Sequence, residues 1–321
     1  MKVIKMTLLG GVIMSNSILM SCGKDEEEKI DESEIFRGVS DVSKEEVIQN
    51  YNENYLGSDL NSSGWKGSID ICDEGLLPED TYDKAIQRIN YFRGLVGLNT
   101  NVTMDMENAY KYQKAALIME ANMKLSHLPP EDWHCWSQDG YDGAASSNLG
   151  LGTPARPSCT DIITNMIHDH GVYNASVGHR RWILHSTKTK FSLGATNIAT
   201  SLGVFNLNNS EGNTQIPEFI AYPAMGYMPQ DLIYDRWSFG IPDLDLNDGL
   251  FVDFSEAKVT MRDPDGHEIQ VNIEYRYSVT NEGLGAGDPS IVWHIIYDNE
   301  NPNHRMFDED NPGPEVKYSV T

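Results

Sequence analysis

Residues 176–185 read SVGHRRWILH, in which a histidine and two arginines run directly into an apolar stretch. Trp182, Ile183 and Leu184 read most simply as core that anchors a short helix beginning near His179. Arg180 and Arg181 find their plainest partners in nearby acids. One histidine defines no site, so the rest of the chain has to supply what faces it.

Upstream, GLLPEDTYDKAIQRINYFRGLVGLN from Gly75 puts Ala85, Ile86, Ile89, Phe92 and Val96 at helical spacing, closed by Gly97. TMDMENAYKYQKAALIMEANMKLSH follows, with Thr103 or Asp105 as N-cap and an apolar stripe of Ala109, Tyr112, Ala116, Met119 and Met123. Pro129 and Pro130 forbid its continuation beyond His127 and Leu128. LPPEDWHCWSQDGYDGAASSNLGLGTPARPSC is then rich in Gly, Pro and Ser without periodicity, the pattern of a long functional or disordered loop. Trp133 and Trp136 argue for order. CTDIITNMIHDH gives another helix, with Thr160 as N-cap and Ile163, Met166 and Ile167 inside. His168 and His170 lie two apart, which on a helix points them to different faces. They would act together only if the chain unwinds there, and the simpler role is at the carbonyl end of the helix dipole.

Past Lys190, FSLGATNIA, SLGVFNL and PEFIAYP read as short strands that close a first domain. From Met228 onward the chain is strand-like, with DPDG as a hairpin turn, and suits a small antiparallel β-sandwich over 228–321. The chain is 321 residues long with 40% hydrophobic residues and a formal net charge of −24, enough for one large or two modest cores. The acidity is spread along the length, so nucleic acid and acidic lipid surfaces are excluded as partners.

The first 22 residues, MKVIKMTLLGGVIMSNSILMSC, place Lys2 and Lys5 before an apolar run and end in Leu19-Met20-Ser21-Cys22. This is the layout of a lipoprotein signal peptide with a lipobox, which leaves Cys22 as a lipidated N-terminus and removes residues 1–22 from the fold. The alternative, a membrane helix, falls short of the ~20 apolar residues a span needs. GKDEEEKIDESEIF then begins an acidic tether, assigned to 23–70, that buries too little to offset chain entropy. Such a run after the cysteine is similar to a surface-export signal of some Gram-negative bacteria, with a plain spacer as the alternative. The expected location is the outer membrane or cell surface, with the membrane met through the lipid on Cys22. Cys72, Cys135 and Cys159 remain, so at most one internal disulfide forms. Cys135–Cys159 is the preferred pair because it restrains the loop between them, and Cys72 with either is the alternative.

The order of segments carries more than any one motif. A helix with RINYFRGLVGLN, a helix with AALIMEANMKLSH, a loop with SSNLGLG, a short helix, VGHRRWIL and a strand FSLGAT resemble the CAP superfamily, the cysteine-rich secretory, antigen 5 and pathogenesis-related proteins, from about Cys72 to Tyr222. The resemblance implies an α+β fold: a CAP-like α-β-α sandwich over 71–227, here followed by the β-sandwich. It also implies a cleft in which two histidines and two acids face each other. By position these are His127 and His179, with Asp169 as the nearest match for the second acid. Ser147, beside Asn148, stands where the family carries a glutamate.

Read on their own chemistry, two imidazoles and a carboxylate with an open position would bind Zn²⁺, and an imidazole beside a carboxylate would serve as a general base. Ser147, Asn148 and Arg180 are the candidate ligand-binding groups, and His127, His179 and Asp169 the candidate catalytic ones, with His127 and His179 as metal ligands. Ser147 as a nucleophile lacks the surrounding elbow pattern. The leading expectation is a surface or outer-membrane lipoprotein binding an extracellular lipid, peptide or cell-wall fragment. The alternatives are a metal-assisted peptidase or other hydrolase using the cleft histidines, and a non-catalytic adhesion or scaffold protein.

Overall fold

The computed structural model describes residues 3–8, 42–153, 158–205, 216–242, 252–263, 266–278, 287–296 and 317–320. Among these, the chain is a mixture of helices and several sheets, as an α+β protein should be. The elements run β1 (Val3–Leu8), α1 (Lys44–Asn50), β2 (Lys66–Ser68), β3 (Asp73–Leu76), α2 (Glu79–Leu95), β4 (Thr103–Met104), α3 (Ala109–Asn122) and α4 (Gln138–Ala145). There follow β5 (Ser147–Leu151), α5 (Cys159–His168), α6 (Gly178–Ile183), β6 (Lys190–Ala195), β7 (Ala199–Gly203), β8 (Ile220–Tyr222) and β9 (Gly226–Pro229). The last are β10 (Arg236–Gly240), β11 (Met261–Arg262), β12 (Glu268–Ile269), β13 (Val271–Arg276), β14 (Ser290–Ile295) and β15 (Lys317–Val320).

A four-stranded sheet in the order β4-β6-β7-β5 organises the first half. Its small residues let helices lie close. A Cβ at Gly194 of β6 would come within 2.1 Å of the main chain at Tyr112, so only glycine permits α3 to sit on that face. Gly143 does the same for α4, where a Cβ would meet Lys111 O at 2.3 Å. Ala115, Ala116, Ile118 and Met119 of α3 pack with Ala144, Leu149 and Ala199 in one apolar cluster. On the other side, Ile89 and Phe92 of α2 and Ile162, Ile163 and Ile167 of α5 join Leu193 and Leu202 of the same sheet. Helices therefore cover both faces.

The second half builds the sheet β13-β14-β10-β8 and, together with β1 from the start of the chain, the sheet β12-β11-β15-β1-β9. β11 and β12 pair antiparallel, with Gly266 between them at φ +86°; Pro264 and Asp265 of the DPDG expected as the turn lie outside the described residues. The division expected at 227/228 falls inside β9, and β8, expected to close the first domain, instead pairs with β10. Trp237, Trp293 and Val320 belong to the same continuous core cluster as Phe92 and Leu202.

Three further expectations need correction. The tether assigned to 23–70 does not extend through its second half. Ser43 and Glu46 form a reciprocal capping box that starts α1, and Tyr51 and Tyr55 stack at 5.0 Å and meet Tyr91 and Phe92. Acidic neighbours mask these aromatics in a composition reading. Residues 23–41, and Cys22 itself, lie outside the described residues. Val3–Leu8, excluded from the fold as part of the expected signal peptide, forms a strand that pairs with β15 and β9. The disulfide joins Cys72 to Cys135, whereas Cys159 is free and fully buried. Cys159 opens α5 on the α2 side of the sheet, while Cys135 precedes α4 on the α3 side, so the sheet separates the expected pair. Burial pushes the Cys159 thiol up to about 12.

Helix starts also shift. Thr103, read as an N-cap, enters β4, and α3 begins only after Asp105 has accepted the Glu107 and Asn108 amides. The stretch read as one long loop holds α4 and β5, the latter an edge strand of the sheet.

Lys188 is buried, and its ammonium is pushed down to about 8, first by burial and then by Arg93. Between about pH 8 and the unfolded value of 10.5 the folded chain has lost a proton that the unfolded chain keeps. Stability therefore rises with pH across that window. Cys159 opposes this above its ordinary 9.0, because only the unfolded thiol ionises there. The clean readout is a comparison with Lys188→Met: wild type should gain on the variant by roughly 2–3 kcal/mol between pH 8 and 10.5 in urea titrations. Parallel pH profiles would show that Lys188 is not held in this way.

Candidate functional site

Helix α5 ends because Asp169 takes a left-handed conformation, φ +53°, which turns the chain back toward its own carboxylate. That carboxylate is wholly buried and caps α6: Oδ2 accepts the His179 amide at 2.9 Å. Oδ1 meets His179 Nδ1 at 2.7 Å. An acceptor-only partner fixes the tautomer with the proton on Nδ1, which leaves Nε2 as the free lone pair of a partly exposed ring. Val177, a β-branched residue at φ +44°, leads into α6. Holding it there costs of order 1–3 kcal/mol, and such strain concentrates at functional sites.

The supports of this pair come from distant parts of the chain. Arg236 of β10 donates from Nη1 to Asp169 O at 3.0 Å and is ion-paired with Glu274 of β13, which also meets His294 Nδ1 of β14 at 3.1 Å. Asn148 of β5 donates from Nδ2 to His179 O at 3.0 Å. Four residues earlier, Ala144 O meets His127 Nδ1 at 3.0 Å, which leaves the exposed His127 ring its own Nε2. His127 and His179 thus attach to the two ends of one short stretch, 144–148, at the start of β5.

Asp169 and His179 are in direct contact, whereas the described hydrogen bonds relate His127 to them through the end of α4 and the start of β5. Among the described residues, the ligand atoms of His127, His179 and Asp169 do not gather within 4.8 Å of one another. The Asp169 oxygens are moreover spent on His179 and its amide. These residues do not fit a three-ligand Zn²⁺ site, and no chemistry is derived through one.

Three expected ligand contacts are corrected. Arg180 is 1% exposed and donates to Ile167 O, His168 O, Arg236 O and Ser238 Oγ, so it ties α5 and α6 to β10 and offers nothing to a ligand. Ser147 is buried, with its hydroxyl on Ala144 O and Ser201 Oγ, which also removes it as a nucleophile. Asn148 is buried too and positions His179. The chain does unwind between His168 and His170, whose ring centroids lie 5.0 Å apart. His168 nevertheless stacks on Tyr234 and pairs with Asp235, whose carboxyl this contact holds down at about 2.

Val172 and Tyr173, 81% and 97% exposed, stand out from the loop between Asp169 and His179. No sequence signal pointed to Arg236, Glu274 or His294, which sit on strands far from the motif and gain meaning only when the sheet is formed. Compared with known proteins, the chain matches no family model, no curated protein and no solved structure.

Asp169→Asn should unsettle this arrangement without dismantling it. Two charge-assisted hydrogen bonds become neutral ones, a loss of roughly 1–2 kcal/mol in stability. Nitrogen NMR of the His179 ring should show one tautomer in wild type and a mixture in the variant. A single unchanged tautomer would mean that Asp169 does not orient the ring.

Proposed function

We propose that this chain is a lipid-anchored envelope protein whose helical half is a CAP-like α-β-α sandwich, binding an extracellular lipid, peptide or cell-wall fragment beside His179. The observation that carries the reading is the buried Asp169 carboxylate 2.7 Å from His179 Nδ1, which presents Nε2 as a fixed acceptor. A carboxylate-held imidazole accepts a hydroxyl or amide hydrogen from a ligand. The helices on both faces of the β4-β6-β7-β5 sheet and the segment order from Cys72 to Tyr222 support the CAP-like architecture. The lipobox at Leu19–Cys22 supports the anchor and an outer-membrane or surface location. Lipid and glycan arrays probed with the protein test the reading: saturable binding that His179→Ala removes supports it, and uniform absence of binding overturns it.

The same pair favours one second reading, a hydrolase in which His179 Nε2 takes a proton from water. The attacking group would be water, because Ser147 is buried and hydrogen-bonded. A hydrolysis rate lost in His179→Ala, with circular dichroism unchanged, would move this reading ahead.

A further inference from the structure

Outside the His179 site, the described residues hold one cluster of metal-ligating side chains: Cys72, His134 and Cys135, whose ligand atoms lie within 4.8 Å of one another. Cys72 and Cys135 form the disulfide, and His134 Nε2 lies 3.9 Å from Cys72 Sγ. The same nitrogen donates to Ile69 O at 3.0 Å, so ligating a cation requires it to give up that proton and exchange the carbonyl for the metal. The cluster opens on a cavity of about 480 Å³ lined also by Glu74, Glu131, Asp132 and Trp133. Nothing in the reading of the Asp169–His179 site uses these groups.

We propose that reduction of the Cys72–Cys135 disulfide creates a metal site in which Cys72 Sγ, Cys135 Sγ and His134 Nε2 bind a thiophilic divalent cation, Zn²⁺ above all. Two thiolates and an imidazole are a soft and borderline donor set that Zn²⁺ takes in tetrahedral geometry. The cavity supplies the fourth position, filled by water or by a carboxylate from its wall. The reductant is a dithiol: the S–S bond takes up two electrons and two protons, the dithiol closes to its own disulfide, and the thiol protons leave as the cation binds. Cys159 takes no part, being fully buried on the far side of the sheet.

The full chain tests this with Co²⁺ as the probe. Any accessible thiol is first blocked by alkylation while the disulfide is intact, and the protein is then reduced by a phosphine and titrated without oxygen. Reduced wild type should bind one Co²⁺ per chain with thiolate-to-cobalt absorption in the near ultraviolet, and the oxidised protein should show none. Cys159→Ala should behave as wild type. His134→Ala should weaken binding by at least the roughly tenfold that loss of even a supporting partner costs. The proposal is overturned if reduced wild type shows no thiolate absorption, if His134→Ala binds as tightly as wild type, or if the reduced chain loses its native circular dichroism and Co²⁺ does not restore it. None of these outcomes bears on His179.

Discussion

Arg180→Met should lower the stability of the protein by roughly 3–5 kcal/mol, the range for removing one partner from a buried charged network. The guanidinium spends its donors on Ile167 O at 2.6 Å, Arg236 O at 3.0 Å, His168 O at 3.1 Å and Ser238 Oγ at 3.2 Å. Its flat face lies 4.6 Å from the centre of the Tyr222 ring. Burial pulls its pKa down, while Tyr222 and Asp169 hold it up. Methionine would fill the stem but take a donor from the Ile167, His168 and Arg236 carbonyls, and a buried acceptor left unpaired costs about 1–3 kcal/mol. Part of that cost is recovered by relaxation. Urea unfolding followed by fluorescence gives the number, and a loss below about 1 kcal/mol would contradict the role assigned to Arg180. The substitution should also blur the His179 site, because α5 and α6 lose their tie to β10.

A second large effect is expected from the Cys72→Ala, Cys135→Ala double variant. The disulfide spans 63 positions of sequence, a stretch that holds α2, β4 and α3. Opening a loop of that length releases unfolded-chain entropy worth roughly 4 kcal/mol. The double variant avoids free thiols, so the loss reflects the crosslink alone. The urea midpoint should fall with little reduction in the denaturant slope. A variant as stable as wild type would mean that the unfolded chain already keeps these segments close.

What could be read from the sequence follows from how local each signal is. α2 and α5 were legible because their apolar positions repeat at helical spacing within one window, and β6 and β7 because they are short runs of β-formers between turns. α4 was hidden by its content: QDGYDGAA is dominated by small and polar residues, and its glycine at 143 serves close packing against Lys111, which no window of sequence reveals. β5 was hidden in the same way, since SNLGL reads as loop until its partner β7 is in place. The helix α1 and the aromatics Tyr51 and Tyr55 were lost in an acidic background.

At the site, the pairing of Asp169 with His179 was anticipated from segment order, and it is what the fold brings together. Arg180 misled because a charged residue next to a histidine reads as a ligand contact, yet its neighbours in space are carbonyls from α5 and β10. Burial decides between those two uses of an arginine, and burial is a property of the assembled core. Arg236, Glu274 and His294 were invisible for the corresponding reason: they reach the site through strand pairing.

The central claim is that His179, held by Asp169, contacts an extracellular ligand. Its most direct test is to purify wild type and His179→Ala from the native envelope under gentle conditions and identify retained molecules by native mass spectrometry. Wild type should carry a defined adduct that the variant lacks while its circular dichroism is unchanged. The same adduct on both, or none on either, would contradict it.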